Sequence, residues 1–198
     1  MLCGAGRRSR YNQPMRSSPL RRAKWCSIAV GLSLLSLFAP GGVGFASTSR
    51  VTSTSRAFTV AVPPGFRNDI AAFSGGAIRL EVFVAGSTEN GFAVNINVLR
   101  ERVHAATVDA VAQASIVALK RISGASDFST VAHLTVAGAP ARALDYRATF
   151  GGRLLHDRQV YAVRDGWGYV VTYSALPGSQ YQGSLPALSE FLASWRWL

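Results

Sequence analysis

Apolar and polar residues alternate with a period of two through IRLEVFVA at 78–85, which places Ile78, Leu80, Val82 and Val84 on one side and Arg79, Glu81 and Phe83 on the other. That period belongs to a strand, whose successive side chains point to opposite faces. The pattern returns in FAVNINVL at 92–99, with Phe92, Val94, Ile96 and Val98 facing inward and Asn95 and Asn97 opposite. Glu89-Asn90-Gly91 between them predicts a turn, so the two strands form a hairpin. Upstream, AFTVAV at 57–62 predicts a first strand, stopped by Pro63-Pro64-Gly65 because proline removes ladder donors. Residues 67–76 are irregular, with room for one helical turn.

The period changes at 107–122, TVDAVAQASIVALKRI. Val108, Val111, Ala112, Ser115, Leu119 and Ile122 fall on one helical stripe. Thr107 suits the cap, Asp109 the positive end, and Lys120-Arg121 the negative end, before Gly124 stops the helix. A strand is expected over 127–136, and Gly138-Ala139-Pro140 reads as the turn that follows it. Three more antiparallel strands follow, because ARALDYRATF, RLLHDRQVYAVR and WGYVVTYSA are separated only by Gly151-Gly152 and Asp165-Gly166, pairs that tolerate the positive φ of a two-residue turn. After the Leu176-Pro177-Gly178 loop, Leu185, Leu188, Phe191 or Leu192, and Trp195 recur at helical spacing over 184–195. Pro186 is then placed in the first turn, and Trp195 and Trp197 read as a hydrophobic clasp for this helix. Trp167, Tyr169 and Tyr173 alternate along the last strand and read as core and cross-strand packing.

The order β, β-β, α, β-β-β-β, α predicts an α+β fold, an antiparallel sheet of about six to seven strands with helices packed on it as an α/β/α sandwich. This order, with VPPGF after the first strand, the GGRLLHDRQVYAVRDGWGYVVTY meander and the closing SWRWL, resembles the PsbP-like superfamily. That group is named for the extrinsic photosystem II subunit and includes DcrB-like and LpqN-like bacterial exported proteins. The resemblance covers roughly 57–198. It implies a non-catalytic accessory or binding role, and no metal-binding residue of the family finds a matching position.

The net charge of +11 invites a nucleic-acid reading, and its distribution removes it. Arg7, Arg8, Arg10, Arg16, Arg21, Arg22 and Lys24 precede residue 25 with no acid among them. Beyond residue 46 fourteen bases face ten acids, a balance of only +4. The basic stretch runs into an apolar segment, CSIAVGLSLLSLF at 26–38, then a Pro-Gly-Gly break and small residues, the order of a secretory signal. Residues 1–46 are therefore expected to be a signal peptide cut after Ala46, 47–56 a Ser/Thr-rich linker, and 57–198 the domain. The protein is placed outside the cytoplasm, secreted or in the cell envelope, and anchored to a membrane only if the leader is retained. Both cysteines, Cys3 and Cys26, lie in the leader, so the processed chain has no disulfide and no thiol nucleophile.

Chemical motifs are few. His104, His133 and His156 show no metal-ligand spacing, no nucleophile elbow of the G-x-S-x-G kind occurs, and Gly75-Gly76 and Gly151-Gly152 read as turns rather than a phosphate cradle. No cofactor is expected. The most suggestive polar set lies on the meander: Asp145 and Arg147 share a face of one strand, His156 and Arg158 a face of the next, and pairing across the 151–152 turn brings the sets together to bind an anion or an acidic partner. The expected function is a non-enzymatic exported module of the bacterial envelope that engages a protein or small ligand through a sheet face or helix-sheet cleft. The alternative is a small secreted hydrolase or metal-dependent enzyme that uses the histidines.

Overall fold

The computed structural model describes residues 49–73, 79–103, 107–122 and 124–198. The signal segment with its cut after Ala46, Ile78, the Gly75-Gly76 turn and His104 lie outside the described residues. In chain order the elements are β1 (Arg50–Thr52), β2 (Phe58–Ala61), β3 (Arg67–Asn68), a 3-10 turn (Ile70–Phe73), β4 (Leu80–Glu89), β5 (Phe92–Arg102), α1 (Val108–Ile122), β6 (Ala132–Val136), β7 (Ala139–Phe150), β8 (Arg153–Arg164), β9 (Trp167–Ala175), α2 (Ser179–Ala193) and β10 (Arg196–Trp197). A seven-stranded antiparallel sheet runs in the order β3-β4-β5-β9-β8-β7-β6, and a second sheet in the order β1-β2-β10. The expected α+β class, with an antiparallel sheet of six to seven strands and helices on it, is borne out.

The hairpins close where residues that tolerate positive φ meet. Gly151-Gly152 adopts φ of 55° and 76°, and Asp165-Gly166 adopts 51° and 74°, as a type I′ turn requires. The turn into β7 falls one residue earlier than expected, on Ala137-Gly138 at 46° and 81°, which leaves Ala139 and Pro140 as the first residues of the strand.

One face of the large sheet carries Val82, Val84, Val94, Ile96, Val98, Val160, Val171 and Tyr173, and α2 and the small sheet cover it through Tyr181, Leu188, Phe191, Phe58 and Val60. The other face carries Leu144, Tyr146, Ala148, Tyr161 and Val170 under α1, which contributes Val108, Val111, Ala112 and Leu119. This second face is also polar in its centre. Tyr146, Asp157, Ser174 and Asn95 stand opposite one another across four strands, and Leu144, Gln159, Thr172 and Asn97 form the next row. All the polar members of these rows are buried, the Tyr146 hydroxyl included. Gln159 donates to Thr172 Oγ1 at 3.2 Å, Tyr161 donates to Gln159, and Asn97 donates to Asn95 Oδ1 at 3.4 Å, as buried polar groups require.

Four expectations about the ends of the domain need correction. Residues 50–52, read as linker, form β1, held to β2 by the register Arg50↔Ala61, Val51↔Val60 and Thr52↔Thr59. The first strand joins this small sheet and not the main one. The terminal SWRWL is not a helix end: α2 stops at Ala193 and Arg196–Trp197 pairs with Phe58 and Thr59. Helix α2 also starts five residues before 184, so Pro186 sits in its interior, where it has no N–H to give to the Gln182 carbonyl.

Candidate functional site

The register of the β7-β8 hairpin sets Asp145 opposite Arg158 and Arg147 opposite His156, on the face that α2 covers. All four residues singled out from sequence line one open cleft of about 500 Å³, with Asp127, Ser129, Tyr181, Gln182 and Leu185 completing its walls. The cleft lies between the end of the β7-β8 hairpin, the first turns of α2 and the segment that precedes β6.

Two local features shape its walls. Ser126 pairs with Arg147, and Ala132 with Ala143, so five residues on one side oppose three on the other. The two extra residues make a bulge, which bends a strand and re-aims its side chains. Asp127 adopts φ of 53° there, and Ser129 Oγ accepts the Asp145 N–H at 2.9 Å. The strand expected over 127–136 therefore begins only at Ala132. On the other wall, the buried Gln180 side chain accepts the Leu176 N–H at 2.6 Å and donates to the Phe92 carbonyl at 3.1 Å, which clamps the start of α2 onto β5. The Tyr173 hydroxyl donates to the Tyr181 carbonyl at 2.8 Å and fixes the neighbouring residue.

The floor is pre-ordered. Arg158 grips Asp145 with both ends of its fork, Nε to Oδ1 and Nη2 to Oδ2, each at 2.8 Å, the planar geometry that makes arginine–carboxylate pairs directional. The Tyr181 hydroxyl donates to the same carboxylate, and the Tyr181 ring stacks flat on the His156 imidazole, with centroids 3.6 Å apart and planes 7° from parallel. Burial would raise the Asp145 carboxyl, but the hydrogen bonds from Arg158 and Tyr181 and the nearby cations outweigh it and hold the group below the ordinary carboxylate range. Arg147 is different: it reaches Asp127 Oδ2 at only 3.5 Å, and both side chains are about half exposed or more. The floor is thus a neutralised pair, and the more loosely paired cation, Arg147, is at the rim.

His156 is lowered from its usual 6.5, first by burial and then by Arg147 and Arg158, against the opposing pull of Asp145. At neutral pH it is an uncharged acceptor-donor ring. An NMR titration of its Cε1 proton is expected to give a midpoint under 6.5, and Asp145→Asn to move that midpoint further down, because Asp145 is the group that favours the imidazolium. A midpoint at or above 6.5 in the parent protein would contradict this electrostatic reading.

Of the other histidines, His133 pairs with Arg142 on the α1 face of the sheet, whereas His156 lies on the α2 face. The two do not converge. Among the described residues, no three His, Cys, Asp or Glu side chains gather to hold a metal ion. Tyr181 was missed because the helix was expected to begin at 184, and Asp127 and Ser129 because a bulge leaves no trace in an alternating pattern. Gln182 carried no signal.

No family model and no curated protein matches the sequence. Solved structures do match. The solution structure of cyanobacterial PsbP (CyanoP) from Synechocystis sp. PCC 6803 superposes with a TM-score of 0.57 at 17% identity, over 82% of this chain and 99% of that one. The fold is PsbP-like. LpqN of Mycobacterium tuberculosis, described as involved in cell envelope biogenesis, shares this PsbP-like fold with a TM-score of 0.54 at 15% identity, over 75% of this chain and 83% of that one. The Ran-binding protein Mog1p of Saccharomyces cerevisiae gives 0.54 at 11% identity, over 76% and 95%. The expected PsbP-like resemblance is thereby confirmed as a likeness of fold, across proteins that share fewer than one residue in five with this chain.

Proposed function

We propose that this protein is a non-catalytic binding module, exported to the bacterial cell envelope, that engages a protein or small ligand carrying an anionic group through the cleft between α2 and the β7-β8 hairpin. The observation that carries the proposal is the division of charge in the cleft. Asp145 and Arg158 satisfy each other and Tyr181 locks them, while Arg147 stands at the rim in a long, exposed contact with Asp127 that costs little to exchange. A carboxylate or phosphate arriving at Arg147 finds a rigid floor, the polar side chain of Gln182 and an uncharged imidazole beside it. Nothing in this set forms a nucleophile-base-orienter arrangement, since the described histidine in the cleft is stacked on a tyrosine rather than directed at a hydroxyl nucleophile. Export is supported by the signal-like order of the first 46 residues, and an envelope role is in keeping with the description of LpqN.

The test compares the protein with an Arg147→Ala, His156→Ala double variant, each used as bait against a native envelope extract. A component retained by the parent and lost by the variant is the expected result. Turnover of any compound in a hydrolase substrate panel that the same variant abolishes would overturn the non-catalytic reading.

A further inference from the structure

The face that bears the cleft carries a second polar surface at the opposite end of the same strands. His156 lies near the cleft end of β8 and Arg164 at the other end, eight residues or about 26 Å away along an extended strand. There Arg102, Trp167 and Arg164 stand side by side on β5, β9 and β8 in direct cross-strand register. Arg100 lies two residues back on β5, opposite Tyr169. The guanidinium of Arg100 sits 3.7 Å from the centroid of the Trp167 ring and that of Arg102 4.5 Å from it, while Arg164 lies 5.0 Å from the Trp197 ring. Cation-π contact orders a guanidinium against a ring face; the forks of the exposed Arg102 and Arg164 remain accessible, whereas Arg100 Nε is buried. Among the described residues neither Arg100 nor Arg102 forms an ion pair, and Asp165 meets Arg164 only through Nε, at 3.2 Å.

We propose that this arginine–tryptophan row is a docking surface for an acidic polypeptide segment, distinct from the cleft and independent of its function. Pre-oriented forks lose little freedom when they take a carboxylate in bidentate fashion. The two outer arginines of the row are separated by two strand spacings, about 10 Å. An extended peptide presents positions i, i+2 and i+4 on one face, about 7 Å and about 13 Å apart, so carboxylates at such same-face positions bracket that distance and come within reach of both forks. A membrane surface fits less well. Trp167 and Trp197 are partly buried beneath guanidinium groups and do not project. Among the described residues the most exposed large apolar side chains are Val117, Leu154 and Leu198, of which only Leu198 adjoins this surface, so little of the described surface there is suited to insert into a bilayer.

The experiment follows the indole N–H resonances of Trp167 and Trp197 in the full chain as poly-L-glutamate of about twenty residues is added. Both resonances are expected to shift in a saturable manner, with affinity falling steeply as salt rises. Arg102→Ala with Arg164→Ala, both exposed positions, is expected to weaken binding at least 10-fold. Arg79→Ala with Arg121→Ala, which removes the same charge elsewhere, is expected to stay within about 2-fold of the parent. Equal weakening by the two pairs would reduce the effect to net charge and overturn the proposal. So would a tighter response to phosphatidylglycerol vesicles than to the peptide, which would assign the surface to a membrane.

Discussion

Phe58→Ala is expected to cost about 3–5 kcal/mol of folding stability, read as a lowered urea midpoint with an unchanged slope. Phe58 is completely buried. It stacks on Trp195 at 3.8 Å with planes 15° apart and meets Tyr169 edge-on at 5.9 Å and Trp197 at 6.3 Å. These three rings come from the end of α2, the main sheet and β10, so the Phe58 ring is the point where the small sheet, the large sheet and the C-terminal segment touch. Truncation removes the stack and opens a cavity between rigid aromatic neighbours that cannot collapse into it. Phe58→Leu refills much of the volume and is expected to lose clearly less. A cost under about 1 kcal/mol for the alanine would mean that the small sheet adds little to the fold.

That cluster also marks the limit of what pattern alone can convey. The long strands were legible because their apolar and polar residues alternate and glycine-bearing turns separate them, even though both faces of the sheet are covered and β4, β5 and β9 are buried along most of their length. Short elements leave none. Arg50–Thr52 and Arg196–Trp197 are strands only because both flank β2, and nothing in three polar-rich residues or in an Arg-Trp pair announces that partner, which for β10 lies more than a hundred positions away. The proximity of Trp195 to a genuine helix made a continued helix the natural reading. In the structure Ser194 ends it instead, and its hydroxyl accepts the Ala61 N–H at 2.8 Å, tying the end of α2 to β2.

The cleft was half legible for a related reason. Asp145, Arg147, His156 and Arg158 are related by a two-residue turn, so local register alone brings them together. The remaining walls depend on tertiary packing: Tyr181 on a helix start held by Gln180, and Asp127 and Ser129 on a bulge. The same limit hid the buried polar rows. Asn95 and Asn97 were assigned to the face opposite the core, which was correct as to side, but α1 covers that face and turns an apparently solvated stripe into an interior one.

The second large effect comes from that interior. Asp157 is fully buried between Tyr146 and Ser174. Burial raises its carboxyl from 3.8 to about 7, and the hydroxyls of Ser174 and Tyr146 oppose this only in part. Between these two values the folded protein keeps a proton that the unfolded chain has released, so stability falls as pH rises through the window from about 4 to about 7 and levels off above it. The integrated loss is on the order of 4 kcal/mol. Asp157→Asn mimics the protonated acid at every pH. The stability difference between variant and parent is therefore expected to be small near pH 4 and to grow to several kcal/mol in favour of the variant by pH 8, while the contributions of other titrating groups cancel. Tyr146→Phe removes one of the opposing hydroxyls and is expected to extend the sloping region to higher pH. A difference curve that stays flat from pH 4 to 8 would show that Asp157 is charged in the folded state. The result bears on the cleft as well, since Asp157 lies between His156 and Arg158 on β8: a neutral carboxyl beneath that strand leaves Asp145, on the opposite face, as the acid that offsets Arg158.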